Sequence, residues 1–171
     1  MGSRADKLRD RQHLLIALLC GWLILTSPWI SMLRRIPASA GWLDWAHVGL
    51  GCVAAALAVT YAATCSLGGR WRLYFPFLGG GLGAVARDLS GLVRGRIPSA
   101  EGAGLFALIE GLLLIALLAT AATGAAWFFL QGTDTVLAWR QWHLYAARGL
   151  AALIVLHVVT VSLHLVDLIR D

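Results

Sequence analysis

Five histidines, His13, His47, His143, His157 and His164, fall in or at the edges of long apolar stretches of this 171-residue chain. An imidazole is costly in hydrocarbon, and an ionisable residue there as a rule pairs with something or binds something. His143 and His157 are fourteen residues apart. On a helix that spacing is about 40° short of four full turns, so the two rings point to nearly one side. They stand roughly 21 Å apart along the axis, too far to share one metal and far enough for two stacked macrocycles. A zinc site on a helix would want His-x-x-x-His or a tight cluster, and neither occurs. One imidazole per level suits axial ligation of a haem iron. Two imidazoles facing each other close both axial positions, which favours electron transfer over chemistry at the iron.

The elements that must carry these residues follow from composition. Of the residues, 59% are hydrophobic and 13% charged, whereas a soluble domain has about 25% charged and about 45–50% apolar residues. The apolar positions form four blocks, 13–33, 44–66, 103–130 and 142–166, each long enough for the roughly 20 residues that cross a bilayer core. Lipid offers no partner to an open backbone, so each block is expected to be helical. The expected fold is all-α, a single transmembrane four-helix bundle over residues 1–171. The first block is longer than the apolar stretch of a secretory signal and no small-residue cleavage motif follows it, so it is read as a span.

Basic residues set the orientation. Ten lie in the N-terminal segment, the 67–102 connection and the C-terminus: Arg4, Lys7, Arg9, Arg11, Arg70, Arg72, Arg87, Arg94, Arg96 and Arg170. Three, Arg34, Arg35 and Arg140, lie in the other two loops. This bias places both termini in the cytoplasm. The second and fourth spans then both run inward and begin near His47 and His143, which should sit at matching depth near the outer face. His13 opens the first span on the inner side, where His157 is its mate. His164 matches His13 better by depth, but would put two iron sites roughly 31 Å apart, the whole bilayer core. The pairing with His157 is therefore preferred, and it asks the first helix to start before residue 13, with Arg9 and Arg11 reaching back to the interface.

Within the 67–102 connection, Leu78, Leu82, Val85, Leu89 and Leu92 recur at helical spacing. Arg87, Asp88 and Arg94 fall largely elsewhere around the wheel, so a short amphipathic helix in the cytoplasmic interface is expected. The glycines at Gly68-Gly69 and Gly79–Gly81 lack the lysine and hydroxyl residue of a phosphate-binding loop. Cys20, Cys52 and Cys65 belong to no Cys-x-x-Cys pattern, which removes covalent c-type haem and zinc-ribbon readings. The net charge of +5 is met by arginines beside anionic membrane lipid, and no nucleic-acid partner is expected.

One histidine in the first span, one early in the second, none in the third, and Trp142-His143 followed by His157 in the fourth together resemble the prokaryotic dihaem cytochrome b561 family. That family is related to the cytochrome b subunits of membrane-bound formate dehydrogenase and nickel-iron hydrogenase. The resemblance covers essentially the whole chain, and the spacing in the fourth span is its most specific part. It implies two haem b groups, held by His47 with His143 and by His13 with His157, and quinone as electron carrier near the cytoplasmic haem. His164 is similar to an additional histidine of some stand-alone members and is a candidate to bond a quinone carbonyl; a haem propionate or interfacial water accounts for it equally well. Glu110 is a candidate proton relay to quinone, a pair with a loop arginine such as Arg87 being the plainer account. Arg148 lies between the two haem levels, where a propionate or a backbone carbonyl would balance it.

The function so implied is electron transport in the respiratory chain of the bacterial cytoplasmic (inner) membrane, between a donor or partner redox subunit and the quinone pool. The lack of a soluble domain favours a subunit of a larger complex. A stand-alone quinone-linked oxidoreductase acting on a small molecule such as superoxide would want a basic funnel outside, where only Arg34, Arg35 and Arg140 lie. A haem-free metal-handling membrane protein would use the same histidines and carry no chromophore.

Overall fold

The computed structural model describes residues 4–66, 71–98 and 104–170. Gly68-Gly69, Arg70 and the expected start of the third span at residue 103 lie outside the described residues. The helices are α1 (Arg4–Thr26), α2 (Trp42–Ser66), α3 (Trp71–Tyr74), α4 (Pro76–Gly79), α5 (Leu82–Val93), α6 (Leu105–Phe129) and α7 (Val136–Arg170), with a 3-10 turn at Ser27–Trp29. No strand occurs among the described residues. Four helical stretches, Lys7–Trp29, Trp42–Ser66, Leu105–Phe129 and Val136–Leu165, are long and apolar enough to cross a membrane. The chain is an all-α membrane protein.

Two of the helices depart from the hydropathy blocks, and the end of the first and the start of the fourth have local chemical reasons. The first helix begins at Arg4 and ends at Thr26, rather than spanning 13–33. Pro28 has no N–H to give the Ile24 carbonyl, and the Ser27 hydroxyl donates to that carbonyl instead, at 2.8 Å. The fourth helix begins at Val136, so the expected loop 131–141 shrinks to a turn. Gly132 has φ +83°, and the guanidinium of Arg35 lies 2.6 Å from where a Cβ would stand. Only glycine both adopts that dihedral without strain and admits the arginine. Val136, the first residue of α7, is fully buried.

The described residues group into two compact units, Met1–Thr64 with Ala116–Leu150, and Cys65–Ile115 with Ala151–Asp171. In the first unit α1 and α2 run antiparallel, pinned at both ends. Asp44 accepts from the Ser31 N–H at 2.7 Å and from the Gly41 N–H at 3.0 Å, closing the first turn of α2 by reaching back as a capping-box residue does. At the opposite end Gln12 Nε2 donates to Thr60 Oγ1 at 3.2 Å, and Thr64 Oγ1 donates to Gln12 Oε1 at 3.5 Å. The 30–40 loop is held to the end of α6 by Trp127 Nε1 donating to the Leu33 carbonyl at 3.0 Å and the Ile36 N–H donating to Gln131 Oε1 at 2.8 Å. The exposed Arg34–Asp134 pair at 3.4 Å adds little by comparison.

The residues turned inward on α2 are small: Ala54, Ala58 and Cys65 are buried. Large apolar side chains such as Leu18, Leu25, Val53 and Val59 are exposed. Small residues inside and large ones outside is the arrangement expected where lipid, as apolar as leucine, is the solvent. The threonine hydroxyls at Thr60 and Thr120 are satisfied by their own helix, donating to the Ala56 and Ala116 carbonyls, as a hydroxyl in hydrocarbon requires.

In the second unit α5 is amphipathic as expected. Leu82, Leu89 and Val93 are exposed on one side, Val85 is buried, and Arg87 and Arg94 lie on another side of the wheel. Asp88 ties this helix to α6, accepting the Leu105 N–H at 2.7 Å, where the positive end of the helix dipole favours a carboxylate. Further along α6, the Tyr74 carbonyl passes directly against Gly111, where a Cβ would stand. Gly111→Ala is therefore expected to destabilise the protein by about 1–3 kcal/mol through overpacking. Gly83→Ala in α5, where nothing lies within 4 Å, should be neutral or stabilising by about 0.5–1 kcal/mol. Thermal unfolding in detergent checks the pair; equal midpoints for both variants would contradict the close approach.

Candidate functional site

His143 is the best-defined histidine of the chain. It lies two turns into α7 in the first unit and packs against the late part of α6. Its Nδ1 is 3.0 Å from the Thr120 carbonyl oxygen. A carbonyl only accepts, so Nδ1 must carry the proton and donate it. The neutral ring then keeps the lone pair on Nε2, the tautomer a metal ligand needs. Gly124, one helical turn beyond Thr120, lies so close that a Cβ there would be 2.9 Å from Cε1 and 3.0 Å from Nδ1 of the ring.

His47 stands in the second turn of α2, within electrostatic range of both His143 and Asp44. Its Nδ1 is buried and has no hydrogen-bond partner among the described residues. The face of α2 running inward from His47 carries Gly51, then Ala54 and Ala58; nothing lies within 4 Å of where a Gly51 Cβ would stand. The two imidazoles that the sequence put at matching depth thus share one unit.

The other expected site residues are spread more widely. His13, in the first unit, is exposed at the flank of the buried Ile16 and Cys20, with its ring centroid 6.2 Å from that of Tyr61. The early start of α1 at Arg4 sets His13 inside the helix, as its proposed pairing required. His157 and His164 belong to the second unit. There α7 exposes Val155, Leu156, Val158, Val159, Val161 and Leu163, and His157, Thr160 and His164 form its half-buried face. The His164 ring meets Phe106 edge-on, centroids 5.8 Å apart. Glu110 is exposed on α6 in that unit. Arg148 is exposed and sits about 140° around α7 from His143, so it shares no face with that ring.

A family model described as prokaryotic cytochrome b561 matches residues 7–168, nearly the whole chain. The chain belongs to the prokaryotic cytochrome b561 family. No curated protein and no solved structure gives a significant match. Membership makes this a membrane b-type cytochrome of electron transfer, which binds haem b.

The residues of the first unit suit that group. The cytochrome has an imidazole with its lone pair fixed on Nε2 and a second with an orphaned buried nitrogen, the latter on a helix whose buried residues are small. Three further residues bear on the site and escaped the histidine count. Thr120 acts through its backbone carbonyl, and Gly124 through lacking a side chain; neither role has a residue-type signature. Arg140 precedes His143 by three positions, about 60° around the helix, and its Nε is buried without a partner among the described residues. Its signal was present in the sequence as an i, i+3 relation to a histidine.

Protein purified after growth with ample haem should show a b-type difference spectrum, reduced minus oxidised, and a pyridine haemochrome of non-covalent haem. A colourless preparation would contradict the site.

Proposed function

We propose that this cytochrome is a dihaem electron carrier that moves electrons between a donor or partner redox subunit and the quinone pool of the bacterial cytoplasmic membrane. The observation that carries the reading is the commitment of His143 Nδ1 to the Thr120 carbonyl, which leaves Nε2 as a ready ligand beside His47. In this reading His47 and His143 are the axial ligands of one haem. His13 and His157 are those of the other, a pairing supported by the fourteen-residue spacing in α7, which sets two levels roughly 21 Å apart on one side of the helix.

When bound, haem supplies reversible one-electron exchange, and paired imidazoles leave it no open coordination position. The chain's own residues bind and orient. Thr120 fixes the His143 tautomer, and the small residues of α2 leave room for a flat group. Arg140 is the cation proposed for a haem carboxylate, since a carboxylate would satisfy its buried Nε; Arg148, exposed and turned away, has no part in this.

The quinone site is proposed at His164 with Phe106. The imidazole N–H would donate to a quinone carbonyl, and the phenyl edge would pack on the ring. Glu110, in the same unit, is the proposed proton relay. Both termini face the cytoplasm in this reading, on the ten-to-three bias of basic residues.

Alanine substitution tests the ligand set. His47→Ala and His143→Ala should each lower haem content from two to one, losing the same haem by spectrum and potential. His13→Ala and His157→Ala should each lose the other. Depletion of one and the same haem by His143→Ala and His157→Ala would overturn the two-level arrangement. For the quinone site, His164→Leu should keep both haems while slowing their reduction by added quinol; unchanged reduction would remove His164 from that role.

A further inference from the structure

Helix α6 carries no histidine, yet it approaches His143 more closely than packing alone requires. Ala is a better helix former than Gly by about 1 kcal/mol, and the neighbouring positions Ala121, Ala122, Ala125 and Ala126 use it. At Gly124 a methyl would stand 2.9 Å from Cε1 and 3.0 Å from Nδ1 of His143, well inside the roughly 3.5–4.0 Å of optimal contact between carbon atoms. The missing side chain lets the Cε1–Nδ1 edge of the imidazole approach the helix backbone. There its Nδ1 reaches the Thr120 carbonyl at 3.0 Å.

The carbonyl, and not a hydroxyl, holds the ring. Thr120 Oγ1 is engaged with the Ala116 carbonyl at 2.7 Å. Thr123 Oγ1 has its shortest bond to the Ala119 carbonyl, also at 2.7 Å, and lies 3.5 Å from Nδ1. The one acceptor within good range of the imidazole proton is the backbone of Thr120.

We propose that Gly124 and the Thr120 carbonyl form a positioning clamp on helix α6 that fixes the tautomer, depth and ring plane of His143 and thereby tunes the reduction potential of the haem this residue holds. The clamp rests on the proposed ligation by His143 and gives α6, which supplies no ligand, the task of orienting one. An Nδ1–H donated to a carbonyl makes the imidazole a stronger electron donor through Nε2, which stabilises oxidised iron and keeps the potential low. The contact of the Cε1–Nδ1 edge with Gly124 restricts rotation of the ring and so the orientation of the ligand.

The test uses the full-length haem-loaded protein and two variants. His143→Ala identifies, by loss, which of the resolved potentials belongs to this residue. Gly124→Ala must push the ring away by several tenths of an ångström and lengthen the bond to Thr120. It should raise the midpoint potential of that haem, change its low-spin electron paramagnetic resonance g values, and leave the other haem unchanged. If His143→Ala removes one haem while Gly124→Ala leaves its potential and g values at the unsubstituted values, the clamp is overturned and the ligand assignment stands. If His143→Ala retains every haem, the ligand assignment fails and the clamp with it. Should Gly124→Ala not assemble, electron–nuclear double resonance on the unsubstituted protein with 15N-histidine decides. An exchangeable, hydrogen-bonded Nδ1 proton on the axial imidazole that His143→Ala removes supports the clamp, and its absence overturns it.

Discussion

An imidazole inside a bilayer has two nitrogens and no water, so each must find a proton acceptor, a proton donor or a metal. For His143 the first nitrogen is settled by the Thr120 carbonyl, and a series of structural requirements follows. A helical carbonyl already accepts from its own helix, so a second donor reaches it only by approaching the backbone closely. The approach needs a residue without a side chain, which Gly124 supplies. It also needs α6 and α7 held side by side at that level. The tight turn at Gly132, bonded to the Arg34 carbonyl at 3.0 Å, and the bonds from Trp127 and Gln131 to the 30–40 loop hold them there. One hydrogen bond at a histidine thus accounts for features spread over about a hundred residues of sequence.

Much of the fold was legible in the sequence, because crossing lipid imposes a length and a composition that few other structures need. The four spans and the amphipathic α5 follow from that constraint. The ends of the spans do not, since hydropathy is blind to a missing N–H. Pro28 stops α1 inside an apolar run, and Gly132 lets α7 begin six residues before the apolar block at 142.

At the candidate site, the sequence pointed to His143 and His47 because histidine is rare in hydrocarbon and spacing on one helix fixes both height and azimuth. It did not point to Thr120 and Gly124, because one acts through its backbone and the other through an absence, in a helix where small residues abound. Arg148 drew attention by its height between the two levels. Azimuth, equally present in the sequence, sets it about 140° around α7 from His143, whereas Arg140 lies about 60° away.

Helix placement in such a protein cannot come mainly from burial. Between Val155 and Leu165, α7 exposes apolar side chains on much of its circumference, and against lipid this exposure has little cost. What fixes one helix against another is then a small number of polar bonds, each worth about 1 kcal/mol or less by analogy with interhelical bonds in membranes. Asp44, Gln12, Gln131, Trp127 and Asp88 supply them near the helix ends. With pins at the ends, the α2 face of the first unit can be Gly51, Ala54 and Ala58. A soluble domain so lined would lose much of its hydrophobic stabilisation. In the bilayer the same lining is tolerated, and it keeps the face of α2 that runs on from His47 free of large side chains.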